Sequence, residues 1–270
     1  MGIDCNFNGD RMRKITLFIF LTTLFCLSNC DLPHQPGPQP SELVKTEFEA
    51  GLNILGVLRA DEQKGTSFIN INRALTTEEI YSDSIENFSP RVDYVKISSI
   101  ISGAEYLFIQ DEDTRDSGDY RDTTLNVGYG EAYELEISAP GFPMLTSNTR
   151  VPEKPSLVEN SLSLGSGNVT FQIQHDISAF EYKLYLIFAE TALEKVIKPT
   201  GESLIGINWD YESSSGAPVY LILSALDENL TRYGNSPISF IPNTYHPDGS
   251  TVHGGYGCFG SVAITLLELN

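Results

Sequence analysis

Hydrophobic and polar residues alternate in short runs along most of this chain. The strictest run is Ala132 to Ile137, where Ala132, Glu134 and Glu136 fall on one side and Tyr133, Leu135 and Ile137 on the other. That is the period of a strand with one wet and one buried face. Short runs rich in β-branched and aromatic residues recur at 52–59, 68–71, 105–110, 144–151, 169–174, 180–189, 203–210, 219–226, 238–241 and 262–267. Glycine, proline or charged turns separate them, so they read as strands. Residues 123–127 form a further short run leading into the strand at 132–137, and 74–90 is polar, without clean periodicity, and reads as a loop. Only 191–198, closed by Pro199, predicts a short helix. With no sustained 3.6-residue period, the pattern predicts an all-β chain of sandwich type. Val151-Pro-Glu-Lys-Pro-Ser156 is a seam of prolines and charges. It predicts two immunoglobulin-like or fibronectin-type modules, an N-terminal sandwich over 46–153 and a β-rich C-terminal domain over 154–270.

The pattern upstream is different. Arg13 and Lys14 precede an apolar and hydroxyl run over 15–27, and Leu27-Ser28-Asn29-Cys30 follows. This is the layout of a lipoprotein signal over 1–29, with Cys30 as the lipidated residue. The run is shorter than the roughly 20 apolar residues of a membrane-spanning helix. Asp4 and Asp10 lie ahead of the basic pair, where acidic residues do not belong, so Met12 is the expected start. Asn29 is larger than the residue usual before a lipidated cysteine, and an ordinary secretory leader cleaved nearby is the alternative. Pro33, Pro36, Pro38 and Pro40 make 30–45 a stiff, extended tether.

Charge narrows the partners. The chain has 17 basic and 36 acidic residues, and loss of the leader leaves a net charge of −20. Such an excess repels phosphate backbones and anionic lipid heads, which excludes nucleic acid and leaves membrane contact to the lipid. Cys5 and Cys26 leave with the leader and Cys30 carries lipid, so Cys258 has no partner for an internal disulfide. A hydrophobic core must then hold the fold.

Candidate chemistry is sparse, and no cofactor motif occurs. Asp111, Asp113, Asp116 and Asp119 offer hard oxygens for calcium, but Arg115 and Asp116 break the EF-hand register and a solvated turn is the other reading. His246, His253 and Cys258 could ligate zinc, although their spacing matches no close ligand pair. Trp209, Tyr211, Tyr220, Tyr233 and Tyr256 would form a sugar- or peptide-stacking surface if exposed, and are core if buried.

Several of these stretches together resemble a family. The signal, LNILGVLR from Leu52, SGAEYLFI from Ser102, GYGEAYELEI from Gly128, TRVPEKP from Thr149, Leu230-Thr-Arg-Tyr233 and Gly254-Gly-Tyr-Gly-Cys-Phe-Gly260 are similar to the bacterial lipoproteins of domain of unknown function 4249. The chain departs from that pattern by its compact middle and by Cys258 at a usually aliphatic position. The resemblance implies an outer-membrane lipoprotein of β-sandwich modules associated with a TonB-dependent receptor, with no catalytic residues to carry over. The expectation is a non-enzymatic, lipid-anchored accessory or binding protein working in uptake. A surface glycan-binding module is the alternative, and an exported hydrolase would need two carboxylates or a Ser-His pair meeting in one cleft. The glycines at 254, 255, 257 and 260 are expected to let backbones approach in a closing turn before the last strand.

Overall fold

The computed structural model describes residues 50–76, 79, 88–110, 119–212, 216–236 and 249–269. Seven strands come first: β1 (Leu52–Ala60), β2 (Phe68–Arg73), β3 (Tyr94–Ser99), β4 (Glu105–Gln110), β5 (Asp119–Arg121), β6 (Ala132–Ser138) and β7 (Leu145–Arg150). Alternation sorts their side chains. Leu52, Ile54 and Leu58 of β1 and Ile69 and Ile71 of β2 are buried together with Val95, Ile97, Tyr133, Leu135 and Ile137 of β3 and β6. Residues 123–127 form no strand, yet Leu125 and Val127 are buried in this core.

The second set is β8 (Ser156–Leu157), β9 (Ser163–Gly165), β10 (Asn168–Gln174), β11 (Glu181–Ile187), β12 (Ala192–Ile197), β13 (Leu204–Asp210), β14 (Tyr220–Leu226), helix α1 (Glu228–Gly234) and β15 (Gly255–Glu268). β13, β10 and β8 form one sheet, with β9 also on β10. β12, β11, β14 and the end of β15 form the opposing layer. This three-and-four arrangement is that of a fibronectin-type sandwich, its core built from Val169, Phe171, Ile173, Ile205 and Ile207 against Tyr182, Leu184, Leu186, Leu221 and Leu223.

One strand belongs to both modules. Over Gly255–Ala263, β15 pairs in parallel with β1, and over Val262–Glu268 it pairs antiparallel with β14. The sheet therefore runs unbroken through eleven strands, β12-β11-β14-β15-β1-β2-β5-β4-β3-β6-β7. The seam over 151–156 lies in the connection from β7 to β8, but the last strand recrosses it to complete the first module. Residues 47–270 accordingly form one compact unit.

Three local expectations change. The run at 191–198 is not a helix but β12, bonded on one side to β11. Its exposed and half-exposed residues alternate, and pairing overrides the helix propensity of Ala, Leu, Glu and Lys. The one helix among the described residues is α1, opened by Asp227, whose carboxylate accepts from the Leu230 N–H at 2.8 Å. Of the glycine-rich tail only Gly254 lies in a bend, and Gly255, Gly257 and Gly260 belong to the first half of β15. Gly257 (φ 102°) has its α-carbon against the Ile54 carbonyl, where a β-carbon has no room. Among the described residues no helix is long and apolar enough to cross a membrane.

Candidate functional site

Two polar constellations arise from this arrangement. The first is the outer face of the layer β4-β3-β6-β7. The residues that alternate with the core point outward here, and register sets them in rows: Leu107, Lys96, Glu136 and Thr146 in one, Glu105, Ser98, Glu134 and Asn148 in the next. The Lys96 ammonium lies 3.2 Å from Glu136 and 3.6 Å from Glu105. The Tyr94 hydroxyl donates to Glu136 as well. Those two hydrogen bonds hold the Glu136 carboxyl below its ordinary range, while Lys96 and Tyr94 are raised by the same partner. A general acid requires the opposite shift. The layer's face forms an open cleft of about 440 Å³ lined by charged and polar side chains, His253 among them.

The second constellation is buried where the modules join. Asp227 is 3% exposed. It accepts from Leu230 N–H and from the Thr149 hydroxyl, and Thr149 Oγ1 lies 2.9 Å from Ser261 Oγ. The Ser261 hydroxyl donates to the Arg150 carbonyl at 3.1 Å, and the Asp227 N–H donates to the Ser261 carbonyl at 3.1 Å. Asn229 adds bonds to the carbonyls of Asn148 (2.7 Å) and Phe259 (2.8 Å). Strand β7, helix α1 and strand β15 are thus tied through one carboxylate. Burial pushes that carboxyl up to about 6, against the hydrogen bonds that favour its charged form. These bonds hold the junction together, and Asp227, Thr149 and Asn229 also line a cavity of about 240 Å³ beside Ser178 and Phe180.

The sequence-predicted residues do not converge. Trp209 is 7% exposed, within the core of the second module, with the Lys195 ammonium 5.7 Å from its ring centroid. The Tyr211 ring packs edge-on against Phe188 at 5.1 Å. Tyr220 is exposed on β14, Tyr233 lies on α1, and the Tyr256 ring covers Gly51. A stacking row over Trp209, Tyr211, Tyr220, Tyr233 and Tyr256 is therefore not formed, because alternation turns Trp209 inward. As the only tryptophan, it gives a direct check. Its fluorescence is expected to resist acrylamide quenching, and Trp209→Ala to cost about 3–5 kcal/mol in chemical denaturation.

Of the calcium candidates, Asp111, Asp113 and Asp116 lie outside the described residues, and Asp119 accepts from the Asn70 amide at 2.9 Å at the start of β5. His246 and Cys30 also lie outside them. His253 is exposed, whereas Cys258 is fully buried, its thiol donating to the Asn229 carbonyl at 3.6 Å. These two do not face one site, and among the described residues no group of three metal-ligating side chains occurs. Burial pushes the Cys258 thiol up to about 12. A thiol reagent at mildly alkaline pH is expected to leave it unmodified until denaturant is added; modification at the rate of a free thiol would contradict the burial.

Sequence reasoning missed Lys96, Glu136 and Asp227. Strand β3 was the missing piece for the first two. Asp227, directly before Glu-Asn-Leu, carried a readable helix-cap signal.

No family model matches the chain, and no curated protein matches it. Solved structures to which it is similar include the FN1–FN3 domains of chicken CNTN1, at 11% identity and TM-score 0.29 over 82% of this chain and 63% of that one. They also include a tetra-tandem repeat from the extending region of a large adhesion protein, at 8% and 0.23 over 81% and 49%. A DUF3823 family protein from Parabacteroides merdae ATCC 43184 gives 10% and 0.24 over 66% and 90%. This chain spans about 63% of the CNTN1 fragment. Its class follows from its own strand pairing: an all-β protein of two immunoglobulin- or fibronectin-like sandwich modules joined through a common strand. The likeness to domain of unknown function 4249 rests on the motifs alone.

Proposed function

We propose that this chain is a non-enzymatic, lipid-anchored accessory or binding protein of the bacterial outer membrane, working with a TonB-dependent receptor in uptake. The observation that carries the reading is where the backbone enters the folded unit. Leu52 starts β1 opposite Gly255, at the end of β15 remote from its pairing with β14. A lipidated Cys30 followed by a proline-rich tether over 30–45, as the sequence predicts, would anchor this unit through its N-terminal side. The open, ion-paired face of the first module suits a partner's surface better than a small substrate. The receptor is what the resemblance of the sequence motifs implies.

The test is detergent extraction of the tagged chain from its own membranes beside a Cys30→Ser copy, with mass spectrometry of what co-elutes. Expected are release of the Cys30→Ser copy from the membrane and recovery of an outer-membrane barrel by the lipidated chain. Equal membrane retention of both copies, with no barrel recovered, would sink the reading.

A further inference from the structure

The hairpin β3–β4 departs from the rest of the surface. Four of its residues are large, apolar and exposed: Ile100 (53%) and Ile101 (71%) at the tip, Leu107 (60%) and Ile109 (72%) on β4. Among the described residues strand β4 is also unpaired over part of one side. Ser99 N–H donates to the Ala104 carbonyl at 2.9 Å, which fixes the phase of the antiparallel ladder. Tyr106 and Phe108 then share hydrogen bonds with Ile97 and Val95, and the N–H and C=O of Glu105 and Leu107 turn away from β3. On that side β5 reaches only Ile109 and Gln110. Among the described residues no strand pairs there with Glu105 or Leu107. Folded proteins ordinarily guard such an edge with lysine, proline or a bulge. Glu105-Tyr-Leu-Phe-Ile-Gln110 has neither lysine nor proline.

We propose that this edge takes up an extended segment of a partner protein as an added strand over Glu105–Leu107, ahead of the β5 pairing at Ile109, with an apolar residue beside Leu107 and a lysine or arginine beside Glu105. Backbone pairing supplies affinity in this mode, and alternate side chains supply specificity. Charge selects the occupant. The Glu105 side chain is 63% exposed, Glu134 lies two strands away in the same row, and the chain as a whole carries −19. A second copy would bring the same excess, whereas a basic strand meets complementary charge. The proposal deepens the binding reading by naming a surface and the chemistry of its partner, and its test needs no membrane.

The probe is a fluorescent peptide of alternating valine and threonine with lysine at one end of the valine face, added to the Cys30→Ser chain. Two control peptides carry glutamate for lysine or methyl groups on alternate backbone nitrogens. Expected are saturable anisotropy, weakening by about tenfold or more with either control, and slowed exchange of the Glu105 and Leu107 amides on binding. Leu107→Pro should weaken binding comparably without unfolding, because that N–H lies on the open edge, and Ile109→Lys should do so by charge. Equal binding of the methylated peptide, no binding while both amides exchange freely, or slow exchange of both in the free chain would each overturn the proposal. So would a concentration-dependent dimer abolished by Leu107→Pro, since the occupant would then be a second copy. Failure to recover a barrel from membranes, with peptide binding intact, would overturn the receptor reading alone.

Discussion

Gly257→Ala is expected to destabilise the chain more than any other small substitution in the tail. The residue sits at φ 102°, which side chains avoid, and its added β-carbon would run into the backbone carbonyl of Ile54. The dihedral penalty alone is roughly 1–2 kcal/mol. The clash costs more, because its partner is main chain on the neighbouring strand and relief requires β1 and β15 to separate. A total loss of about 3–5 kcal/mol corresponds to a fall in Tm of roughly 10 °C for a unit of this size. Gly103→Ala is the matched comparison, with φ 69° and nothing within 4 Å, and should cost about 1 kcal/mol. Gly206→Ala, on β13 with open space around it and no positive φ, should stabilise by about 0.5 kcal/mol.

Because β15 closes both modules, the loss is not expected to stay local. Trp209 fluorescence reports the second module and far-ultraviolet circular dichroism the whole unit, so both signals should fall together in Gly257→Ala. Two separated transitions, or a wild-type Tm, would show that the β1–β15 pairing does not bind the modules into one cooperative unit.

What the sequence carried and what it hid divide along a physical line. Tyr133, Leu135 and Ile137 are buried as their alternation predicts, since a strand's two faces are written in adjacent residues. The glycines at 254 and 257 marked close backbone approach, which is what they provide against Met144 and Ile54, the first in a bend before β15 and the second within the strand. The parallel partnership of β1 and β15 left no local trace. It joins residues some two hundred positions apart, and neither strand's composition names the other. For the same reason the ladder of Lys96 and Glu136 could not be read before β3 and β6 were placed in register. At 191–198 the local signal was misleading, because helix formers at a sheet edge yield to a neighbour that supplies hydrogen bonds along β12. Asp227 illustrates the remaining case: its capping role was legible, but its bonds to Thr149 and Ser261 depend on β7 and β15 meeting there.

That meeting makes Asp227 the second position of large effect, and one whose sign depends on pH. Its folded carboxyl is raised from 3.8 to about 6, chiefly by burial. A raised acid binds its proton more tightly when folded, so its contribution to stability is complete below the unfolded value and is lost as pH rises through the folded one. The window is therefore about pH 4 to 6, and the difference of roughly two pKa units is worth on the order of 3 kcal/mol. Asp227→Asn removes that titration while keeping an acceptor for Leu230 N–H and a donor for Thr149. It should match or exceed the wild type in urea midpoint near neutral pH, and lose ground by about 3 kcal/mol as pH falls to about 4. Asp227→Ala behaves differently, since it forfeits the helix cap at about 0.5–2 kcal/mol and leaves the Thr149 hydroxyl without its acceptor. It should be the less stable variant at every pH. If wild type and Asp227→Asn instead keep a constant difference between about pH 4 and 7.5, the carboxyl is not desolvated in the folded chain. Water in the cavity of about 240 Å³ that Asp227 lines with Thr149 and Asn229 would then solvate it.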